Sequence, residues 1–425
     1  MAPFLPELIG SWLKGRAPQR QQAGKNTPWL SWFVVGATVV GCQALAASGI
    51  DHPRLAVMLP QGWRDAPMRD EFLRGFRVGE VTVEACGESL PRLAWQGLSP
   101  GQSPGPGLDR YQDLSLVVAP PSADLRMFAS LAEERDLSVL LPFQRGQSLD
   151  VLRSLEGRER LWPIVPSQQD DLQATVDAAL RAGWNRAMVV EDPAAIEASS
   201  SASFVDLFKQ SGGTVESYEQ QAVQRVDPND SAQLIRFKKD VAWSGIATVV
   251  VADSPDGSLA RKLRQQQAAG AFGGGAPRTP NWIWLTGSEG LQDLPAVSWK
   301  QLGLKHPARG DGWKAFDASF KKRWGTSPTL LAASGYDTAR LLALVDAAPL
   351  PISAEGRRVA MGWVDPDARL VPLCDAFASR RRGESFRPEA AASDARFRPG
   401  QTPSGEATAH LLQEFSQPRA DHLIE

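Results

Sequence analysis

Four side chains able to bind a small molecule stand just beyond the ends of apolar runs, where the chain turns from one element into the next. They are Trp63 after the run 54–59, Ser122 after 114–119, Asp192 after 187–191 and Asp253 after 248–252. Their chemistry is recognition. A serine hydroxyl and backbone N–H groups at a helix start suit a carboxylate, a carboxylate such as Asp253 suits an ammonium, and an indole supplies an apolar wall. Each has a structural alternative: helix capping for Ser122 and Asp253, packing for Trp63. Catalytic patterns are missing. His52, His306, His410 and His422 are scattered, Gly287-Ser288-Glu289-Gly290 is not a nucleophile elbow, and no paired-acid, CxxC, HExxH, P-loop or GxGxxG motif occurs. These absences argue against an enzyme, and neither a metal nor a cofactor is expected.

The elements that would position these residues alternate between short β-branched runs and helical periodicity. Strands are predicted at 54–59, 81–85, 114–119, 137–141, 161–165, 187–191, 215–218, 248–252 and 282–286. Several are apolar at nearly every position, as strands buried on both faces of a parallel sheet are. Between them, Ser167 and Asp170 form a capping box, Leu172, Val176 and Leu180 share a helical face, and Gly183 stops the helix. Trp313, Phe316, Phe320 and Trp324 share another face ending at Gly325, best read as core packing, and Ser327-Pro328 opens a helix to about 347. The run 97–107 is a loop and 270–280 a Gly-rich connector. Beyond about 380 the composition predicts an irregular tail, with Arg380-Arg381-Arg382 solvated.

The whole chain has 425 residues, 43% hydrophobic and 22% charged, with a net charge of −2. That is an ordinary globular composition, long enough for two or three domains, with no reservoir of positive charge for nucleic acid. The N-terminus differs. Lys14, Arg16, Arg20 and Lys25 face a single acid, Glu7, and thirteen uncharged residues, 29–41, lead to Cys42. This is export-signal grammar, and 29–41 is shorter than the ~20 residues of a membrane span. Val39-Val40-Gly41-Cys42 resembles a bacterial lipobox, whose cysteine is acylated after cleavage just before it. Cleavage after Ala44-Leu45-Ala46 and a buried apolar helix are the alternatives. Cys86 and Cys374 are left either as a disulfide or as two separate thiols.

The order of elements resembles the type I periplasmic binding proteins, in particular the branched-chain amino-acid type of ABC-transporter substrate-binding protein. The matching pieces are Leu55-Ala56-Val57-Met58-Leu59-Pro60, Leu116-Val117-Val118-Ala119-Pro120-Pro121-Ser122, Trp162-Pro163-Ile164-Val165-Pro166-Ser167, 204–215, and Phe316 through Tyr336-Asp337. The resemblance implies an α/β fold of two Rossmann-like lobes with parallel sheets joined by a hinge. It divides the chain into a signal peptide at 1–41, a first lobe at 54–166 with 290–350, a second at 167–289 with 354–378, and the tail at 379–425. It adds Gln144, which follows Leu141-Pro142-Phe143, to the ligand-binding candidates. The family's Ser/Ala/Thr-rich loop there and its Tyr-Gly after Asp192 are both missing.

The implied function is an exported, lipid-anchored solute-binding protein of an ABC importer. Its partners would be a small polar ligand, permease subunits and a membrane reached through Cys42, in the periplasm or cell envelope. The alternative is a ligand-independent envelope lipoprotein that uses the fold for protein contacts, such as regulation of a peptidoglycan synthase.

Overall fold

The computed structural model describes residues 53–62, 66–121, 123–145, 151–193, 199–217, 220–253, 257–269, 280–287, 300–304, 309–352, 359–403 and 412–415, together with Leu149 and Phe272. Cys42, Trp63 and Ser122 lie outside the described residues.

The first lobe is built on β1 (Leu55–Pro60), β2 (Leu93–Leu98), β3 (Leu116–Val118), β4 (Ser138–Leu141) and β5 (Leu161–Pro163), all parallel, in the order β2-β1-β3-β4-β5. Side chains alternate strictly between two cores. Leu55, Val57, Leu116, Val118 and Leu140 point to one, and Ala56, Met58, Val117, Val139 and Leu141 to the other. Such strands carry no polar face, which is why they read as continuous apolar runs. Helices α1 (Ala66–Ala85), α2 (Gly105–Leu108) and α3 (Leu125–Glu134) join the strands. Phe72, Phe76, Val78 and Val83 of α1 enter the first core, Leu125, Phe128 and Leu131 of α3 the second.

The second lobe repeats the plan. Its strands β6 (Arg186–Glu191), β7 (Thr214–Val215), β8 (Val223–Arg225), β9 (Thr248–Ala252), β10 (Asn281–Gly287) and β11 (Gln301–Leu304) are again parallel. The edge beside β6 is split: β7 pairs with its start, β8 with its end. Counting β7 and β8 as one edge, the order edge-β6-β9-β10-β11 is the order of the first sheet. On one face α6 (Ser231–Ser244) and α7 (Ser258–Ala268) pack with Met188, Val190, Val249, Val251, Trp282 and Trp284. On the other, α4 (Gln168–Arg181) and α5 (Ser199–Gln210) pack with Ala187, Val189, Val250, Ala252, Ile283 and Leu285.

After β11 the chain returns to the first core through α8 (Trp313–Trp324), α9 (Leu330–Asp346) and α10 (Leu373–Arg381). Two short strands, β12 (Leu370–Val371) and β13 (Arg387–Pro388), pair in parallel, and β14 (Leu412–Phe415) adds antiparallel to β11. Helices α1 and α9 touch backbone to backbone. A Cβ on Gly75 would lie 1.7 Å from the Ala332 carbonyl oxygen, and one on Gly335 2.1 Å from that of Phe72. Cys86, just past α1, is disulfide-bonded to Cys374 at the start of α10, with Cα atoms 5.1 Å apart.

Several sequence expectations need correcting. Residues 81–85 are the last turn of a 20-residue α1, not a strand. The Val-Thr-Val run favours strand, but Phe72, Phe76, Gly79 and Val83 continue one buried helical face, and packing against α9 overrides local propensity. The second strand is instead β2. Ser167 precedes α4 but makes no side-chain cap, and the cap of α9 is Thr329, whose hydroxyl accepts from Ala332 N–H at 3.1 Å.

The segment 354–378, expected to return to the second lobe, places Ala360, Met361, Trp363, Val371, Ala376 and Phe377 in the first lobe's core. β11, inside the range 290–350 expected of the first lobe, belongs to the second sheet. The supposed tail is largely part of the body as far as 403. Phe386, Ala390, Ala391, Ala392, Ala395 and Phe397 are buried there, and Arg380 is buried, donating to the carbonyls of Ala348 and Pro349 at 3.2 and 2.8 Å. Burial of Arg380 lowers its pKa. The buried carboxylate of Asp337 clamps this segment, accepting from Ala391 N–H at 2.9 Å and Ala392 N–H at 2.7 Å, with Arg340 at 3.7 Å.

Candidate functional site

In open parallel sheets the binding crevice lies outside the carboxyl ends of the strands, where the strand order reverses. Here those points fall between β1 and β3 and between β6 and β9. The first is followed by Gln61 and by Ala119-Pro120, the second by Asp192 and Asp253. Strand geometry thus delivers two of the candidate residues to one switch point.

Both carboxylates are buried, Asp192 being 6% and Asp253 4% exposed, and both serve the N-terminus of α7. The Ser258 hydroxyl donates to Asp192 Oδ2 at 3.1 Å, and Asp253 Oδ2 accepts from Ala260 N–H at 2.9 Å. The capping alternative for Asp253 is therefore realised, since it satisfies an N–H that has no intrahelical partner. A Cβ on Gly257 would sit 1.9 Å from Asp253 Oδ1, so glycine there lets the loop fold over the carboxylate. Next to Asp192, Glu191 accepts from Arg225 Nε of β8 at 3.0 Å. Two carboxylates thus stand at the N-terminus of α7, where the helix dipole stabilises negative charge.

On the first lobe, Gln144 is 1% exposed and spans two loops. Its Nε2 donates to the Pro120 carbonyl at 2.8 Å and its Oε1 accepts from Phe143 N–H at 3.2 Å. It thereby ties the loop after β4 to the turn after β3, the turn that leads into Ser122.

Sequence reasoning missed the next residue. Arg145 donates through Nε to the Pro166 carbonyl at 2.9 Å and through Nη2 to Asp171 Oδ2 at 2.6 Å, while its own carbonyl accepts from Gln168 N–H. Pro166 belongs to the crossover between lobes and Gln168 and Asp171 to the first turn of α4, so this largely buried ion pair fastens the first lobe to the start of the second. Burial, then the Asp171 charge, push the Asp170 carboxyl up, and Arg145 opposes them. The available signal was positional: a basic residue at a strand end and paired acids opening the first helix beyond the crossover.

Gln144, Asp192 and Asp253 sit at strand ends as expected, with Asp192 and Asp253 brought together on α7 and Gln144 on the other sheet. An opening of about 320 Å³ bordered by Asp109, Tyr111, Leu114, Arg135 and Leu137 lies by the residues that enter β3 and β4, the edge opposite the switch point. Among the described residues no group of three or more His, Cys, Asp or Glu is placed to hold a metal, and no helix is long and apolar enough to cross a membrane.

No family model matches the sequence, and no curated protein sequence does. Solved structures do share the fold. A leucine-binding protein of Thermotoga maritima superposes with a TM-score of 0.52 at 15% identity, covering 86% of this chain and 95% of its own. An ABC-transporter substrate-binding protein of Desulfitobacterium hafniense, in complex with Leu, gives 0.51 at 14%, covering 85% and 97%. A branched-chain amino-acid ABC-transporter periplasmic ligand-binding protein of Burkholderia xenovorans gives 0.51 at 11%, covering 69% and 78%. The chain has the type I periplasmic-binding-protein fold: two α/β lobes with parallel sheets.

Proposed function

We propose that this chain is a non-enzymatic solute-binding protein of an ABC importer, exported and anchored through an acylated Cys42, that takes a small polar ligand between its lobes. The observation that carries the reading is the repeated strand order, which sets Asp192 and Asp253 at one switch point while Gln144 ties the loops at the carboxyl edge of the other sheet. The acidic surround of α7 favours a ligand with an ammonium or amide N–H, and Ser122, following β3, is suited to its carboxylate. Trp63, three residues after β1 in the sequence, is the candidate for an apolar wall. The solved neighbours described as binding leucine support an amino-acid or amide-like ligand. The Cys86–Cys374 bridge supports an oxidising compartment such as the periplasm. Permease subunits are the macromolecular partner this role requires.

Closure follows from linkage: a ligand that touches both lobes only in the closed form shifts the population towards it. The test is a thermal-shift panel of amino acids, amides and short peptides. A ligand at about 100 times its Kd stabilises by about 2.7 kcal/mol, a shift of about 3–4 °C in a chain of this size. Asp192→Asn should weaken that shift. No response to any of these solutes would contradict the importer reading.

A further inference from the structure

Helix α6 presents apolar residues on both faces. Leu234, Phe237 and Val241 enter the second lobe's core, as an amphipathic helix requires. Ala232, Ile235, Arg236, Lys239, Ala242 and Trp243, at i, i+3, i+4, i+7, i+10 and i+11, form a second stripe facing outward. Trp243 is 91% and Ile235 46% exposed, two of the five large apolar side chains exposed among the described residues. The exposed positions of α6 include no acid. Arg236, Lys238 and Lys239 outnumber the half-exposed Asp240, which with Lys239, Ala242 and Trp243 borders an open recess of about 680 Å³.

We infer that this stripe is a membrane-contact surface that lies against anionic lipid headgroups. The composition fits a headgroup layer better than a protein groove. An indole partitions to the interface, lysine and arginine extend their charge to phosphates along apolar stems, and with Asp240 the one half-exposed acid on the helix the face stays net basic. The tether makes such contact frequent. This argument rests on the lipid-anchor reading: with Cys42 acylated, the eleven-residue step to Pro53 spans at most about 40 Å, which bounds how far Pro53 can be from the bilayer. The surface chemistry itself does not need the acyl chain, so the two readings can fail separately.

The experiment uses the full chain with Cys42→Ser, carrying an environment-sensitive fluorophore on Ala242→Cys, or on Ile352→Cys as a second site. Vesicles of phosphatidylcholine alone or with phosphatidylglycerol are added. The 242 label is expected to brighten and shift to the blue only with phosphatidylglycerol, and to be quenched by brominated acyl chains, while the 352 label stays unchanged. Lys239→Glu and Trp243→Ser, both on the surface and outside the core, should each raise the half-saturating lipid concentration roughly tenfold or more. A silent 242 label, an equal response at 352, or unchanged binding in both variants would overturn the inference and leave the stripe to a protein partner. Acylation is read independently, from the mass of the N-terminal peptide.

Discussion

Replacing Cys374 by serine opens a covalent loop spanning 288 residues, and the size of the effect can be worked out beforehand. In the chain-entropy description, releasing a loop of that length returns about 5.7 kcal/mol to the unfolded ensemble at 25 °C, just above the range of about 0–5 kcal/mol that disulfides usually show. Little packing is lost with it, because Cys374 is exposed and Cys86 only half-buried, so the change reports the crosslink. Unfolding a chain of this size carries about 2 cal/mol/K per residue, which converts the loss into a fall in Tm of about 7 °C. Calorimetry of wild type, Cys374→Ser and Cys86→Ser provides the assay. The variants should fall together, and the double variant no further, since either change breaks the same bond. Reductant should bring the wild type down to the same Tm and leave the variants where they are. A fall of less than about 1 °C, or a Cys86 thiol in the native wild type that reacts with alkylating reagents, would refute the reasoning.

Three further outcomes follow from the geometry. Gly75→Ala and Gly335→Ala each push a methyl into a facing carbonyl and should cost about 2–3 kcal/mol or more in chemical denaturation, whereas Gly183→Ala, with open space around its Cβ, should lose only what its left-handed φ demands. Arg145→Met leaves Asp171 without its arginine and should destabilise by about 3 kcal/mol, while the paired change Arg145→Met with Asp171→Leu should recover part of that loss; denaturant titration of all three proteins checks it. Asp337, fully buried, has its carboxyl raised by burial to about 6 against the opposing pull of Arg340 and the amides of Ala391 and Ala392. The folded state therefore holds a proton that the unfolded state has released between about pH 4 and 6. Asp337 should accordingly make stability fall as pH rises through that window, by up to about 3 kcal/mol, and Asp337→Asn should flatten this component of the pH–stability profile.

The sheet was legible because a strand buried on both faces announces itself: Leu55–Pro60, Ala187–Val190 within β6 and Thr248–Ala252 are nearly continuous apolar runs that no helix face would need. Their alternation between two cores makes the lobes three-layered, which fold class alone does not state. The misread elements share a cause. In α1 the β-branched residues at 81–83 look like a strand because the face they complete is visible only once α9 lies against it. In 359–403, runs of alanine and arginine look like a solvated tail because the carboxylate that pins them, Asp337, is some 50 residues upstream. The missed strands β2, β8, β11, β12, β13 and β14 are only two to six residues long and lie at or next to sheet edges, too short for a pattern to show.

At the site, strand ends were the readable part, and hydrogen-bond partners were not. Asp192 and Asp253 follow their strands as expected, but that both attend α7, and that Gln144 ties two loops, depends on contacts across 66, 7 and 24 residues. The disulfide was open for the same reason: sequence counts cysteines but does not measure the distance between them.

The most direct test of the binding account is native mass spectrometry of the protein purified under mild conditions from its own host. The account predicts a 1:1 adduct with a small polar molecule, released on denaturation and lost from Asp192→Asn with Asp253→Asn. A protein that arrives with no adduct, and takes up none when soaked with the host's small-molecule extract, would contradict it.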